Sequence, residues 1–260
     1  MRGESIPQQE KYHEFEREID SWRKRKKDSS WRKSYDEVFD QQNLMIIYKL
    51  FSDGVFDKLD FPISTGKEGN VFRASTKDGK LVAVKIYRTA TSTFKDMAKY
   101  IHGDPRFKGL VSRKRKLIYA WANKEYINLM AFDRAGVRVP KPITQRQNVV
   151  VMEYIGDDVE PARELRNFKL EDPEPIARKI LDYLRLAYQK AKLVHSDISE
   201  FNILMFNEEP VIIDVGQAVL LDHPNAQEWL ERDVNNVVRY FKKQGLRLDV
   251  AKELKEIRKT

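Results

Sequence analysis

The apolar positions of the chain change period several times, and each change predicts an element. Between Gln8 and Lys27, Tyr12, Phe15, Ile19 and Trp22 recur at helical spacing, which predicts a helical extension packed on the body, within a segment to about residue 40 that is otherwise polar. From Gln42 to Ser52, Leu44, Ile47, Tyr48 and Phe51 repeat helically, and Gly54 is a stop signal. Residues 59–87 then alternate or run apolar with β-branched residues. They are broken by KDGK (Lys77 to Lys80), whose Asp78-Gly79 is a hairpin signal. Residues 88–116 are polar and carry little periodicity, so they read as a mobile or functional segment.

Helical spacing returns from Trp121 to Ala135 and is closed by Gly136. Pro140 to Ile143 and Val149 to Tyr154 are strand-like. Pro173 and Pro175 open a long helix with Ile176, Ile180, Leu184 and Tyr188 on its stripe. A last amphipathic helix is expected from about Asn225 to Lys243, with Trp229, Val234, Val237, Val238 and Phe241 facing inward. Between these helices, short apolar runs bracket LVHSDISEFNIL (Leu193 to Leu204) and lead into PVIIDVGQA, which predicts two short hairpins. The order is helices, a strand-rich half, then a helix-rich half. The expected organisation is an extension over 1–45, a strand-rich lobe over 46–152 and a helix-rich lobe over 153–260.

Composition narrows the classes. The 260 residues are 41% hydrophobic, enough for a real core, and 34% charged. No run of eighteen apolar residues and no secretory pattern occurs, so no membrane span is expected. The absence of Cys excludes disulfides, thiolate catalysis and Cys-ligated zinc, and it fits a cytoplasmic setting. The four His show no metal spacing. Net charge is +8, with dense runs at WRKRKK (Trp22 to Lys27) and RKRK (Arg113 to Lys116). Such runs suit a polyanion such as RNA, or are solvated helix faces.

Four stretches carry chemistry. In ISTGKEGNVFRA, Gly66 and Gly69 sit in a turn between strand-like runs, where bare backbone can approach a phosphate and Val71 can cap a flat ring. In LVAVKIY, Lys85 stands mid-strand among Val82, Val84 and Ile86 and needs an anionic partner, a phosphate or a carboxylate. Glu125, in the helix WANKEYINL, is the candidate carboxylate. In the third stretch, Asp197 and Asn202 flank a short loop; in the fourth, Asp214 follows a second apolar run. Asn202 offers a neutral oxygen and Asp214 a charged one, which suits a hard divalent ion, and Asp197 is left to accept a proton from an attacking hydroxyl or water.

The joint order is Gly turn, Val-Ala-Val-Lys, helical Glu, H-x-D-x-x-x-x-N and D-x-G. In this order the sequence resembles the protein-kinase superfamily. Departures point to a branch. Ser64 stands at the first Gly position of the loop, Ser196 at the Arg of H-R-D and Val215 at the Phe of D-F-G. Only 46 residues follow Asp214, with no A-P-E among them. STGKEGNVF, HSDISEFN, IIDVGQAV and DHPNAQEWLERD resemble the RIO family of atypical serine/threonine kinases, in its first subfamily, which lacks the N-terminal winged helix of the second. The resemblance covers roughly residues 45 to 245.

That resemblance implies a two-lobed α+β kinase-like fold with a minimal C-terminal lobe, lacking an activation segment and peptide-binding helices. It also implies a mobile loop between the Lys strand and the Glu helix. It implies ATP with magnesium, or manganese in its place. The roles it implies are Asp197 as general base, Asn202 and Asp214 as metal ligands, Lys85 on phosphate and on Glu125, and Asp214 as a site of a phosphorylated-Asp intermediate. Ser64, Thr65, Gly66, Lys67, Glu68, Gly69 and Val71 would cover the nucleotide. Met152, Glu153 and Ile155 would border the adenine, the last two through backbone groups.

Four functions remain open at the level of sequence. One is a protein Ser/Thr kinase that also phosphorylates itself. The second is an ATPase switch in maturation of the small ribosomal subunit, docking on precursor particles of RNA and protein. The third is an RNA-binding scaffold with structural nucleotide. The fourth is a small-molecule kinase of the aminoglycoside type, against which Ser196 and Ser199 speak. No DNA or membrane partner is expected.

Overall fold

Strand alternation decides which side chains meet which layer in the N-terminal half. The computed structural model describes His13, Arg17 and residues 39–66, 68–89, 94–109 and 114–259. The stripe Tyr12, Phe15, Ile19 and Trp22 and the basic run after it lie outside the described residues. Strands β1 (Lys58–Thr65), β2 (Gly69–Ser75), β3 (Leu81–Tyr87), β4 (Pro142–Arg146) and β5 (Val149–Glu153) form an antiparallel sheet in the order β1-β2-β3-β5-β4. The predicted hairpin at Asp78-Gly79 joins β2 to β3, with Gly79 at φ 81°.

Val82, Val84 and Ile86 of β3 and Val149 and Val151 of β5 share one buried cluster with Ile46, Ile47 and Leu50 of helix α1 (Gln41–Ser52). Asp40 caps α1 by accepting the Asn43 N–H at 2.8 Å. Truncating the fully buried Ile47 to Ala would cost about 2–5 kcal/mol. The boundary expected between 45 and 46 therefore falls inside α1, which covers the sheet. The odd-numbered β3 residues, Ala83, Lys85 and Tyr87, point to the other face, toward the helix that carries Glu125.

Residues 88–116 hold elements that the sequence pattern does not show. They include helix α2 (Phe94–Ile101) and a 3-10 turn (Pro105–Phe107), and α3 (Lys114–Ala135) starts within them. Met97, Tyr100 and Ile101 of α2 are buried, so a short stripe among lysines does hold a helix. Lys114, Arg115 and Lys116 form the first turn of α3 rather than a lead-in to it, because Leu117, Ile118 and Trp121 continue its buried stripe.

The C-terminal half packs α4 (Pro173–Leu186), α5 (Ala226–Lys243) and α6 (Val250–Arg258) around short strands. Helix α6 was not predicted; Leu254 and Ile257 bury its one apolar edge. The strands are β6 (Arg163–Glu164), β7 (Leu193–Val194), β8 (Ile203–Phe206), β9 (Glu209–Ile212) and β10 (Val219–Leu220). Of the two expected hairpins only β8–β9 is one, turning through Asn207 and Glu208 at positive φ. β7 pairs with the distant β10 instead. That pairing closes a loop over residues 195–218 and brings the two Asp-containing stretches to one edge. After Asp214 the chain makes a 3-10 turn (Val215–Gln217), then β10, and reaches α5 at Ala226.

Candidate active site

The site is built where three layers meet. From β3, Lys85 reaches across with Nζ 2.6 Å from Glu125 Oε1 on α3 and 2.5 Å from Asp214 Oδ1. The Tyr87 hydroxyl donates to the second Glu125 oxygen at 2.5 Å. Burial disfavours the ammonium, but the Asp214 and Glu125 carboxylates outweigh it and hold the Lys85 pKa well above the ordinary value. The same lysine charge holds the Asp214 carboxyl below its usual range.

Asp197 and Asn202 lie on the loop between β7 and β8. The Asn202 amide donates through Nδ2 to the Asp197 carbonyl at 2.7 Å and to Oδ2 at 3.1 Å, so Oδ1 is the oxygen it has to offer elsewhere. Burial raises the Asp197 pKa, with the Asn202 bond opposing. His195 is buried and pushed down to about 4 by desolvation, so it is a neutral packing residue here, its Nε2 3.1 Å from the Ile213 carbonyl.

Sequence reasoning missed what holds this loop. Asp233, fully buried on α5, accepts the Ser196 N–H at 2.7 Å and the Ile198 N–H at 3.0 Å, the backbone groups on either side of Asp197. Arg232 donates to the Ser196 carbonyl and Asn236 to the Ile198 carbonyl at 2.9 Å. Ser196 has φ 70°, a left-handed conformation these bonds impose. The signal was available: Asp233 interrupts the apolar stripe between Trp229 and Val237, and a carboxylate there must have partners.

A cavity of about 220 Å³ lies beside these groups, lined by Ser64, Val71, Lys85, Glu125, Met152, Glu153, Ile155 and Asp214 among others. A larger one, about 930 Å³, lies along α2 and the 105–107 turn and contains none of Lys85, Asp197, Asn202 and Asp214. In the Gly turn between β1 and β2, the Gly66 N–H donates to the Gly69 carbonyl at 2.9 Å. A Cβ on Gly69 would meet the Ile86 carbonyl oxygen at 2.3 Å, so β3 itself requires this glycine. Thr65 ends β1, and Lys67 lies outside the described residues. Glu68 precedes β2, and desolvation pushes its carboxyl up to about 7, with Lys85, Asp214, Glu125 and Asp197 close enough to act on it.

The Glu153 N–H donates to the Lys141 carbonyl at 2.8 Å, and the Ile155 carbonyl accepts from Ala162 at 3.0 Å. The Glu153 side chain is taken by Arg138, with contacts of 2.7 and 2.8 Å. Among the described residues no cluster of three or more His, Cys, Asp or Glu has metal-holding geometry. The donor set nevertheless fits magnesium, which takes one or two carboxylate or amide oxygens and completes its shell with phosphates and water. Asp214 is kept ionised, and its side chain is 51% exposed although one oxygen serves Lys85. Among the described residues no helix is long and apolar enough to cross a membrane.

A five-stranded antiparallel sheet with a buried Lys–Glu pair, over a lobe presenting Asp197, Asn202 and Asp214, is a kinase architecture. A family profile described as the RIO domain matches residues 70–254. The RIO-type serine/threonine-protein kinase Rio1 of Haloferax volcanii is 45% identical over 90% of this chain and 80% of its own length. The corresponding protein of Methanocaldococcus jannaschii is 38% identical over 82% of this chain and 72% of its own. Human serine/threonine-protein kinase RIO1 is 39% identical over 88% of this chain but only 41% of its own length. Among solved structures, the Rio2 kinase of Chaetomium thermophilum has a TM-score of 0.63 at 25% identity, covering 84% of this chain and 68% of that one. A second structure of it, an ADP/Mg2+-phosphoaspartate complex, has a TM-score of 0.65 at 23% identity over 86% of this chain and 68% of that one, a likeness of fold. The chain belongs to the RIO family of serine/threonine-protein kinases, on the Rio1 side of it.

Proposed function

We propose that this kinase uses ATP with magnesium and works largely as an ATPase switch in maturation of the small ribosomal subunit, with phosphorylation of its own hydroxyls as a second outlet. The observation that carries the reading is Lys85 held between Glu125 and Asp214, at 2.6 and 2.5 Å, in the lining of the cavity. An ammonium so placed is oriented before a phosphate arrives.

The cavity, below the range of about 300–1,000 Å³ usual for a whole drug-sized ligand, would take the base and sugar. Val71 and Met152 would line the base, and the Glu153 carbonyl and Ile155 N–H are the backbone groups left to address its edge. The phosphates would then lie toward the Gly turn and Lys85. Asn202 and Asp214 would hold magnesium, which when bound neutralises phosphate charge. Asp197, made more basic by burial and fixed by the α5 contacts, would take the proton of the attacking water or hydroxyl. Asp214 is also a competent nucleophile, and the phosphoaspartate in the Chaetomium relative supports an acyl-phosphate step here.

The turn that leads directly from Asp214 to β10 supports the switch over a peptide kinase, since it leaves no platform for an extended peptide. Purified protein incubated with labelled ATP and magnesium, with and without small-subunit precursors, tests the reading. Particle-dependent phosphate release with a hydroxylamine-labile phosphoprotein is expected. Stable Ser/Thr phosphoprotein without phosphate release would make it a kinase in the ordinary sense. Particle binding without any turnover would leave a scaffold, and transfer to a small hydroxyl compound alone would make it a small-molecule kinase.

A further inference from the structure

Helix α3 brings Glu125 to Lys85, and its buried side carries two more polar groups that the reading above does not use. Lys124 is fully buried, and its Nζ donates to the Gly216 carbonyl at 2.8 Å. Asn128, one turn further on and also fully buried, donates through Nδ2 to the carbonyls of Val215 at 2.8 Å and Ala218 at 3.2 Å. All three acceptors belong to the turn that starts at Asp214. Asp214 itself has φ 62°, a left-handed conformation that a non-glycine residue keeps only when its surroundings impose it.

Asn128 is oriented in turn. Its Oδ1 accepts from Arg106 Nη1 at 2.9 Å, which fixes the amide with Nδ2 toward the turn. Arg106 is gripped by Asp104, with Nε 2.9 and 3.0 Å from the two carboxylate oxygens and Nη2 2.6 Å from Oδ2. Asp104 and Arg106 lie between α2 and α3, in the segment whose sequence predicted no element. The contacts form one chain: Asp104, Arg106, Asn128, then the carbonyls that shape the turn at Asp214. A set of bonds serving only to satisfy scattered buried groups would not converge on a single turn.

We infer that Lys124 and Asn128 are positioning residues for Asp214, and that the Asp104–Arg106 pair couples the segment between α2 and α3 to the geometry of that carboxylate. The magnesium half of this rests on the proposed role of Asp214 as metal ligand; the conformational half does not. Helix α3 thus fixes Asp214 twice, through Lys85 on the side chain and through the carbonyls on the backbone. Displacing the 104–107 segment frees the Asn128 amide to rotate, and the turn loses its template.

The test uses the full chain and the variants Arg106→Gln, Asn128→Ala and Lys124→Met, with Asp214→Asn as reference. The first readout is hydrogen exchange of the Ala218 amide, which donates to the Val215 carbonyl at 3.1 Å, in magnesium- and nucleotide-free protein. Loss of one buried hydrogen bond should speed it about 3–10-fold while amides of Val237 and Val238 in α5 stay unchanged. The second is the magnesium midpoint for binding fluorescent ADP, expected to rise by a similar factor while ADP affinity in EDTA holds. Arg106→Gln combined with Asn128→Ala should be no worse than Asn128→Ala alone, since the two lie on one chain. Unchanged Ala218 exchange, or additive effects, overturns the inference. An EDTA affinity that falls as far as the magnesium one also overturns it. Should either buried variant fail to fold, Arg106→Gln, at a partly exposed side chain, decides alone. If Asp214→Asn leaves the magnesium midpoint unmoved, the metal-ligand reading fails, and Ala218 exchange still judges the positioning.

Discussion

Lys85 and Asp214 stand 2.5 Å apart, Nζ to Oδ1, across the seam between the strand-rich and helix-rich halves. The lysine is buried and the aspartate side chain half-exposed, so the pair joins the interior to the cleft. Glu125 shares the same ammonium and is itself almost wholly buried. One cation therefore bridges two carboxylates, and its charge holds the Asp214 carboxyl below its usual range.

Lys85→Met tests that dependence. Without the ammonium, Glu125 keeps the Tyr87 hydroxyl as its partner among the described residues, and breaking a buried pair from one side costs about 3–5 kcal/mol. Urea unfolding at pH 7 should show a loss of that order, and Lys85→Met with Glu125→Gln should recover much of it. A single variant as stable as wild type would mean that the pair is solvated and does not order α3.

Asp197→Ala separates chemistry from binding. A general base acts on the nucleophile, so turnover should fall about 10²–10⁴-fold while nucleotide affinity, read by fluorescence, stays within about twofold. Comparable losses in both would place Asp197 among the binding groups instead.

Much of this site was legible because polar residues stood where the pattern asked for apolar ones. Lys85 in β3 and Glu125 in α3 each interrupt a buried run, Asp197 and Asp214 follow short apolar strands, and Asn202 precedes one. The supports were harder to see. Asp233 serves a loop 35 to 37 residues earlier, and no local pattern announces so distant a partner. Helix α2 was hidden because FKDMAKYI is only 8 residues long and rich in charge. The start of α3 was hidden because its first turn was read for charge rather than period. Gly69 was visible, but its reason, the backbone of β3, is a tertiary contact that sequence does not show.

Asp233→Asn tests whether α5 sets the catalytic loop. The carboxylate accepts two N–H groups, and an amide has one acceptor oxygen, so one buried donor would face an NH2 group. Leaving a buried donor unsatisfied costs about 1–3 kcal/mol. Thermal unfolding should shift down accordingly, and turnover should drop without a matching change in nucleotide affinity. Retained stability with wild-type turnover would show that Arg232 and Asn236 suffice.

The Glu68 carboxyl, raised to about 7 by burial, gives a pH signature. Its folded pKa lies above the ordinary 4.5, so between those values the folded chain binds the extra proton and stability contributed by this group falls as pH rises. Above pH 7 the charged carboxylate also opposes incoming phosphates. Affinity for an ATP analogue should therefore weaken as pH rises through about 7, and Glu68→Gln should flatten that slope. Parallel pH curves for the two proteins would assign the dependence to another group.

The basic run at the start of α3 tests the proposed RNA contact. Arg115 and Lys116 are exposed on the first turn of the helix that carries Glu125. Arg115 lies 3.9 Å from Asp40, a loose surface pair that salt would screen and an RNA phosphate could displace. Ten residues separate Arg115 from Glu125, about 15 Å along the axis, so a tilt of α3 driven at the Lys85 end moves the basic end as well. Each cation that neutralises a phosphate steepens the fall of log affinity with log salt by about 0.7 on single strands and 0.9 on duplex DNA. Replacing Arg113, Lys114, Arg115 and Lys116 by Gln should lower the slope by up to about four such increments and weaken binding to precursor particles. ATP hydrolysis without RNA should survive, since neither Arg115 nor Lys116 lines the cavity and none of the four is a proposed catalytic group. Affinities measured with an ATP analogue, with ADP and with neither should differ for the wild type and converge for the variant. Equal wild-type affinities across nucleotide states would remove the coupling through α3. An unchanged salt slope in the variant would make the run a solvated face, and the RNA contact would have to be sought on another surface.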